Sequence, residues 1–250
     1  MENKMYKKSF LDRVRFLARK ILKSSAVGRG LYPTIQKVWK LYAVPRNRRR
    51  LRKHGFDILK RLHALLTTHA VPYYCDCGTL IGFIRDGGFI PHDDDIDIAI
   101  MPDTVKASSV LKLFLDSGYG FVHAFRYADR MIEFTVADYT GTTIDVFCHK
   151  WIKDDPGYLE EIFIRWYKNR NYPNERANTG LKFRLRGPEG LKTITVGGVE
   201  TSVPSNAEEV LDSEYGPWRK PDPNFKSEQI ENEELPDFVF RMTESEALAM

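Results

Sequence analysis

The stretch Pro91-His92-Asp93-Asp94-Asp95-Ile96-Asp97-Ile98-Ala99-Ile100 restricts the possible folds more than any other part of the chain. From Asp93 onward, a period of two puts Asp93, Asp95 and Asp97 on one side and Ile96, Ile98 and Ile100 on the other. The apolar side reads as a buried strand. Carboxylates two apart on a strand lie about 6–7 Å from each other, and holding such a pair ionised costs roughly 3 kcal/mol at an effective dielectric near ~20. A divalent cation in the gap removes that cost. The plain alternative is a solvated acidic edge or a loop of helix-capping Asp residues, and the apolar alternation argues against it.

Two further segments strengthen the metal reading. Asp76-Cys77-Gly78-Thr79 lies between a short predicted strand, Tyr73 to Cys75, and a short predicted helix, Gly78 to Arg85. Glycine lets the backbone turn tightly, and helix-start N–H groups with the Thr79 hydroxyl suit a phosphate, although Gly-Thr alone is equally an ordinary turn. Thr142-Thr143-Ile144-Asp145-Val146-Phe147 is a β-branched, apolar strand with one acid in it. A lone buried carboxylate is expensive unless paired or metal-bound. Asp145, reaching over from a neighbouring strand, would complete a three-carboxylate site with Asp95 and Asp97.

Elsewhere the periodicity predicts a helix continuing from Pro45 to about His69, a helix over Val105 to Leu115, and strands at Tyr119 to Phe125 and Met131 to Ala137. It also predicts a helix over Glu160 to Tyr167, two short strands near Ile194 and Val199, and a helix from Ser205 to Tyr215. After Pro217, three further prolines and many acids predict an extended or poorly ordered tail.

Charge is unevenly spread. Residues 1–53 hold 17 Lys and Arg against Glu2 and Asp12, so the remaining 197 residues carry −11 within a total of +4. Within this arm, residues 7–23 place Phe10, Val14, Leu17 and Ile21 at helical spacing among basic residues, the pattern of a helix lying on an anionic membrane surface. Gly28 and Gly30 are read as its end. Packing against the body is the alternative; nucleic-acid binding is disfavoured, because the arm has few aromatics and no binding motif. No apolar run approaches the ~18–20 residues that span a bilayer, and the N-terminus has no apolar stretch of signal-peptide length, which points to the cytoplasm. Cys75, Cys77 and Cys148 lack a second pair at zinc-ligand spacing and read as reduced core thiols.

Asp76-Cys77-Gly78-Thr79-Leu80-Ile81-Gly82-Phe83-Ile84-Arg85, followed by Gly88-Phe89-Ile90-Pro91-His92-Asp93-Asp94-Asp95-Ile96-Asp97-Ile98, resembles the signature of the LicD/fukutin family. Val203-Pro204-Ser205-Asn206 through Glu214-Tyr215-Gly216 resembles the family's C-terminal helix, and the likeness spans roughly Arg50 to Pro223. His92 departs from the Trp of many bacterial members, and the basic arm is not part of the pattern. The resemblance implies an α/β (α+β) chain with the polymerase-β-like nucleotidyltransferase fold, a mixed sheet flanked by helices. With the charge pattern, it divides the chain into a basic amphipathic helical arm (residues 1–45), a LicD/fukutin-like nucleotidyltransferase domain (46–225) and an acidic tail (226–250).

The resemblance also implies roles for particular residues. Asp95, Asp97 and Asp145 would hold Mg²⁺ or Mn²⁺, with Asp145 also the candidate proton acceptor. Gly78 and Thr79 would line the donor diphosphate, and Asp93 would be an outer acid. Arg85 would reach a phosphate oxygen, a structural ion pair being the alternative. The implied donor is a CDP-linked alcohol such as CDP-choline, CDP-ribitol or CDP-glycerol, and the implied acceptor is a sugar hydroxyl of a glycan or glycolipid, with CMP released. A true nucleotidyltransferase releasing pyrophosphate, and a non-catalytic nucleotide-binding or scaffold module, are the competing readings.

Overall fold

The computed structural model describes Tyr6 and residues 26–165, 171–222 and 224–250. The basic amphipathic helix predicted over residues 7–23 lies outside the described residues.

Helix α1, Ala26–Thr68, is 43 residues long and runs through Gly28, Gly30 and Pro45 without ending. The two glycines are therefore not a helix end. Each costs about 1 kcal/mol and an interior proline about 3 kcal/mol. Burial offsets this: Leu51, Ile58, Leu59, Leu62 and Leu66 are all at most 1% exposed, each contributing about 1.5–3 kcal/mol. Beyond Pro45 the helix is also tied to neighbouring loops. Arg48 Nε donates to the His92 carbonyl at 2.8 Å, and an Arg50 guanidinium N–H to the Gly141 carbonyl at 3.1 Å.

Next come β1 (Tyr73–Cys75), α2 (Cys77–Ile81) and a π-helical turn (Gly82–Asp86). Then follow β2 (Asp95–Ile100), α3 (Ala107–Asp116), β3 (Gly120–Tyr127), β4 (Arg130–Ala137) and β5 (Thr143–Phe147). The Asp138 carboxylate organises the β4–β5 turn by accepting from the backbone N–H groups of Thr140 and Thr142, and Arg61 pairs with it at 3.0 Å.

The second half of the chain supplies β6 (Lys150–Trp151), β7 (Tyr158–Arg165), β8 (Ala177–Arg186), the hairpin β9 (Leu191–Val196) and β10 (Val199–Pro204), and α4 (Ala207–Tyr215). It ends with β11 (Asn232–Glu234), β12 (Val239–Met242) and α5 (Glu244–Leu248).

The main sheet has the order β1-β2-β5-β4-β3-β12-β8-β7-β6, with β11 on β8. Among the described strands, β2 and β5 form its one parallel pair. The architecture is a large mixed sheet flanked by helices. Ile96, Ile98, Ile144 and Val146, all at 0% exposure, join α1 and α3 in the main core.

Two expectations are corrected here. The segment expected as a helix from Glu160 is strand β7. Its Leu159, Ile162 and Phe163 fit a helical stripe, but a continuous ladder against β8, from Tyr158↔Arg186 to Arg165↔Thr179, decides the matter. The C-terminal segment is not a loose tail. Strand β12 lies between β3 and β8, Leu235, Val239, Met242 and Ala247 are at most 4% exposed, and Thr243 with Glu246 caps α5 in a capping box. Prolines and acids dominate its composition and conceal four core positions.

Candidate active site

The candidate site is a row of polar side chains across one sheet face. The parallel register pairs Asp97 with Asp145, and the antiparallel register pairs Asp145 with Thr135 and Thr135 with His123. Asp95 lies two residues before Asp97 on the same face. Asp95, Asp97 and Asp145 each present a ligand atom, and these atoms lie within 4.8 Å of one another.

The turn after β1 is fastened to this row. Asp76 N–H donates to the Asp97 carbonyl at 3.1 Å, and Asp97 N–H donates to Thr79 Oγ1 at 2.9 Å. Gly78 sits against the carboxylates, where a Cβ would lie 3.1 Å from Asp93 Oδ1 and 3.5 Å from Asp97 Oδ2. A side chain there would crowd the space beside the acids that glycine leaves open.

Electrostatics mark the same place. Desolvation, then Asp145, pushes the Asp95 carboxyl well above the ordinary range, and desolvation, then Asp95 and Asp145, does the same to Asp97. Asp145 is raised to about 7 by desolvation and Glu133, against the pull of the Thr135 hydrogen bond. Asp93 is raised to about 6, chiefly by burial. Three oxygen ligands this close, each disfavouring ionisation without a cation, fit a hard divalent ion such as Mg²⁺ or Mn²⁺.

Two predicted binders are held by neighbouring groups. Thr79 is fully buried, and its hydroxyl oxygen accepts from the Asp97 N–H at 2.9 Å, which ties the turn to β2. Arg85 makes a two-pronged pair with Asp86 at 2.9 and 2.8 Å and donates to the Trp218 carbonyl at 3.1 Å.

Three residues join the site without having been singled out in the sequence. Thr135 donates its hydroxyl to Asp145 Oδ1 at 2.7 Å, His123 Nε2 lies 2.8 Å from Thr135 Oγ1, and Glu133 Oε1 lies 3.3 Å from the same nitrogen. Glu133 is raised to about 7 by burial. The available signal was Glu133 and Thr135 at alternate positions of an otherwise apolar strand.

Such a site, with paired and single acids on adjacent strands beside a Gly-containing turn, is of the kind that can hold a divalent cation. Residues 70–206 match the family described as LicD/FKTN/FKRP, nucleotidyltransferase domain, and the chain belongs to this family. It is similar to the lipopolysaccharide cholinephosphotransferase LicD of Haemophilus influenzae, 34% identical over 120 residues, covering 48% of this chain and 43% of that protein. It is also similar to human ribitol-5-phosphate transferase FKTN, 25% identical over 172 residues, covering 68% of this chain and 34% of that protein. The matched stretches thus span less than half of either relative's length. Among solved structures, the lincomycin-bound lincosamide antibiotic adenylyltransferase LnuA overlaps loosely, with a TM-score of 0.38 and 14% identity over 64% of this chain and 83% of that one. Among the described residues, no helix is long and apolar enough to cross a membrane.

Proposed function

We propose that the protein is a metal-dependent phosphotransferase that moves a phospho-alcohol from a CDP-linked donor to a sugar hydroxyl of a glycan, releasing CMP. The observation carrying this reading is the convergence of Asp95, Asp97 and Asp145 within 4.8 Å. Membership of a family whose relatives are a cholinephosphotransferase and a ribitol-5-phosphate transferase supports it.

Asp95, Asp97 and Asp145 would hold Mg²⁺ or Mn²⁺, which supplies charge neutralisation for the diphosphate and for the entering and leaving oxygens. The chain's own groups do the rest. Gly78 leaves room beside Asp93 and Asp97 for the donor diphosphate. Thr135 holds Asp145 Oδ1 and so orients that carboxylate to receive the acceptor hydroxyl's proton. His123 and Glu133 fix Thr135 in turn. Residues 7–23 dock the enzyme on the cytoplasmic membrane face, where lipid-linked acceptors are made; undiminished liposome binding after deletion of residues 1–30 would exclude that part.

A panel of CDP-choline, CDP-ribitol and CDP-glycerol with Mg²⁺ tests the reaction. CMP release from one of them, lost in Asp95→Asn, is the expected result. Pyrophosphate release from a nucleoside triphosphate, with no CMP from any donor, would identify a nucleotidyltransferase instead.

A further inference from the structure

Asp97 is flanked by Asp145 on one side and, through the Asp76 N–H bond to its carbonyl, by Asp76 on the other. Asp76 belongs to a second group of ligating atoms. Asp76, Cys77 and Glu214 each offer one atom within 4.8 Å of the others, with Glu214 arriving from α4. Glu161 on β7, 6% exposed, adds its negative field to Glu214.

His149 supplies the observation that an acidic cluster alone would lack. Its side chain is 5% exposed, its Nε2 lies 3.7 Å from Asp76 Oδ2, and that nitrogen has no hydrogen-bond partner among the described residues. The other nitrogen, Nδ1, lies 3.0 Å from the Tyr74 hydroxyl, and Phe147 stacks on the ring at 6.0 Å. Either tautomer leaves a problem. If Tyr74 donates to Nδ1, a buried Nε2–H meets no acceptor at hydrogen-bond distance; if Nδ1–H donates to Tyr74, a buried lone pair faces a carboxylate. An unmet buried polar group of this kind costs about 1–3 kcal/mol. A cation between Nε2 and Asp76 resolves the second arrangement. The 3.7 Å separation is close to the ligand–ligand edge of a tetrahedral zinc site with bonds of about 2.0–2.3 Å.

We propose that Asp76, Cys77 and Glu214, whose ligating atoms converge, bind a second divalent cation of the zinc type, separate from the all-carboxylate site, and that His149, whose open Nε2 faces Asp76, turns in as the fourth ligand. Mixed nitrogen, sulfur and oxygen donors select zinc-like ions, whereas three carboxylates suit magnesium or manganese. On binding, the Cys77 thiol loses its proton to solvent and a metal–sulfur bond forms, with no change of oxidation state. Tyr74 acts as the outer partner that sets the imidazole tautomer. The ion would tie the turn before α2 to α4 and to the chain after β5, clamping the peptide that donates to Asp97. This inference is independent of the transfer reaction and stands or falls separately from it.

The test uses the full chain, purified untagged and without chelators, followed by metal analysis and Co²⁺ substitution. One equivalent of zinc, retained in the Asp95→Asn/Asp97→Asn double variant, is expected. Co²⁺ in place of zinc should give a thiolate-to-cobalt charge-transfer band that disappears in Cys77→Ser. Tyr74→Phe, which keeps all four ligands, should weaken zinc binding about 10–100-fold. The proposal is overturned if Co²⁺-saturated wild type shows no charge-transfer band, if the band persists in Cys77→Ser, or if the double variant loses its zinc. Should Cys77→Ser fail to fold, the wild-type cobalt spectrum and Tyr74→Phe decide the question.

Discussion

Replacing Asp97 by Asn should stabilise the metal-free protein while destroying its response to metal. With ligand oxygens up to 4.8 Å apart, each ionised pair costs roughly 3–4 kcal/mol at an effective dielectric of about 20. Asp97 faces two such neighbours, so full ionisation would consume about 7 kcal/mol, a large share of a typical ~5–15 kcal/mol domain stability. Without a cation the fold retains protons instead, which is why Asp145 rises to about 7 and Asp95 and Asp97 are pushed well up. The direction in pH follows. Because the folded-state value of Asp145 lies above its unfolded one, the native state holds its extra proton from about pH 4 to about pH 7, and stability falls across that window as pH rises, by up to ~1.4 kcal/mol per pH unit, with Asp95 and Asp97 acting in the same direction. At pH 8, in chelator, Asp97→Asn should therefore be more stable by about 1–3 kcal/mol, a melting shift of roughly 3–10 °C. Wild type should gain stability on adding Mg²⁺ or Mn²⁺, and the variant should gain little. Thermal unfolding at pH 5.5, 7 and 8.5, with and without metal, measures both effects. If Asp97→Asn melts lower in chelator at pH 8 and keeps the full metal shift, the repulsion argument is refuted.

Three other outcomes are expected. Thr135→Val removes the hydroxyl bonded to Asp145 at 2.7 Å and should lower kcat/KM for the CDP-alcohol about 10–100-fold, consistent with ~1.5–3 kcal/mol for a bond to a charged group; unchanged kinetics would remove Thr135 from the site. Gly82→Ala puts a Cβ 2.4 Å from the Gly88 carbonyl oxygen and 3.1 Å from Ile90 N, both backbone, and should destabilise by about 2 kcal/mol or more in a denaturant titration. Deleting residues 232–250 removes β12 from between β3 and β8 and should abolish cooperative unfolding by circular dichroism; a truncated protein that still melts cooperatively would show that the segment is dispensable.

What could be read from the sequence followed the reach of its signals. The Asp95–Ile100 alternation is local and complete, so the strand emerges with the residues expected. Asp145 was visible because an acid in a β-branched strand is conspicuous. Strand β7 was hidden because Leu159, Ile162 and Phe163 satisfy helical spacing, and only pairing with the distant β8 tells strand from helix. Strand β12 has four residues, too few for any period to show. For Thr79 and Arg85, neither the hydrogen bond from Asp97 nor the pair with Asp86 can be derived from residue type alone. His149 lies two residues beyond Phe147, and its open nitrogen exists only because Tyr74 occupies the other one.

The geometry of the acids is set largely by the opposite face of the sheet. In the β2–β5 pair, Ile96 lies opposite Ile144 and Ile98 opposite Val146, all four at 0% exposure against α1 and α3. A slip of one residue in either strand would move its aspartates into this core and its aliphatic side chains onto the polar face. That would forfeit several kcal/mol of apolar burial and bury carboxylates without partners. The register that keeps Ile144 and Val146 inside is therefore the same register that sets Asp145 beside Asp97. Packing on one side of the sheet thus holds the three acids of the candidate site together on the other, whatever their protonation state. Substitutions at Ile144 or Val146 should accordingly disturb metal binding although neither residue touches the site.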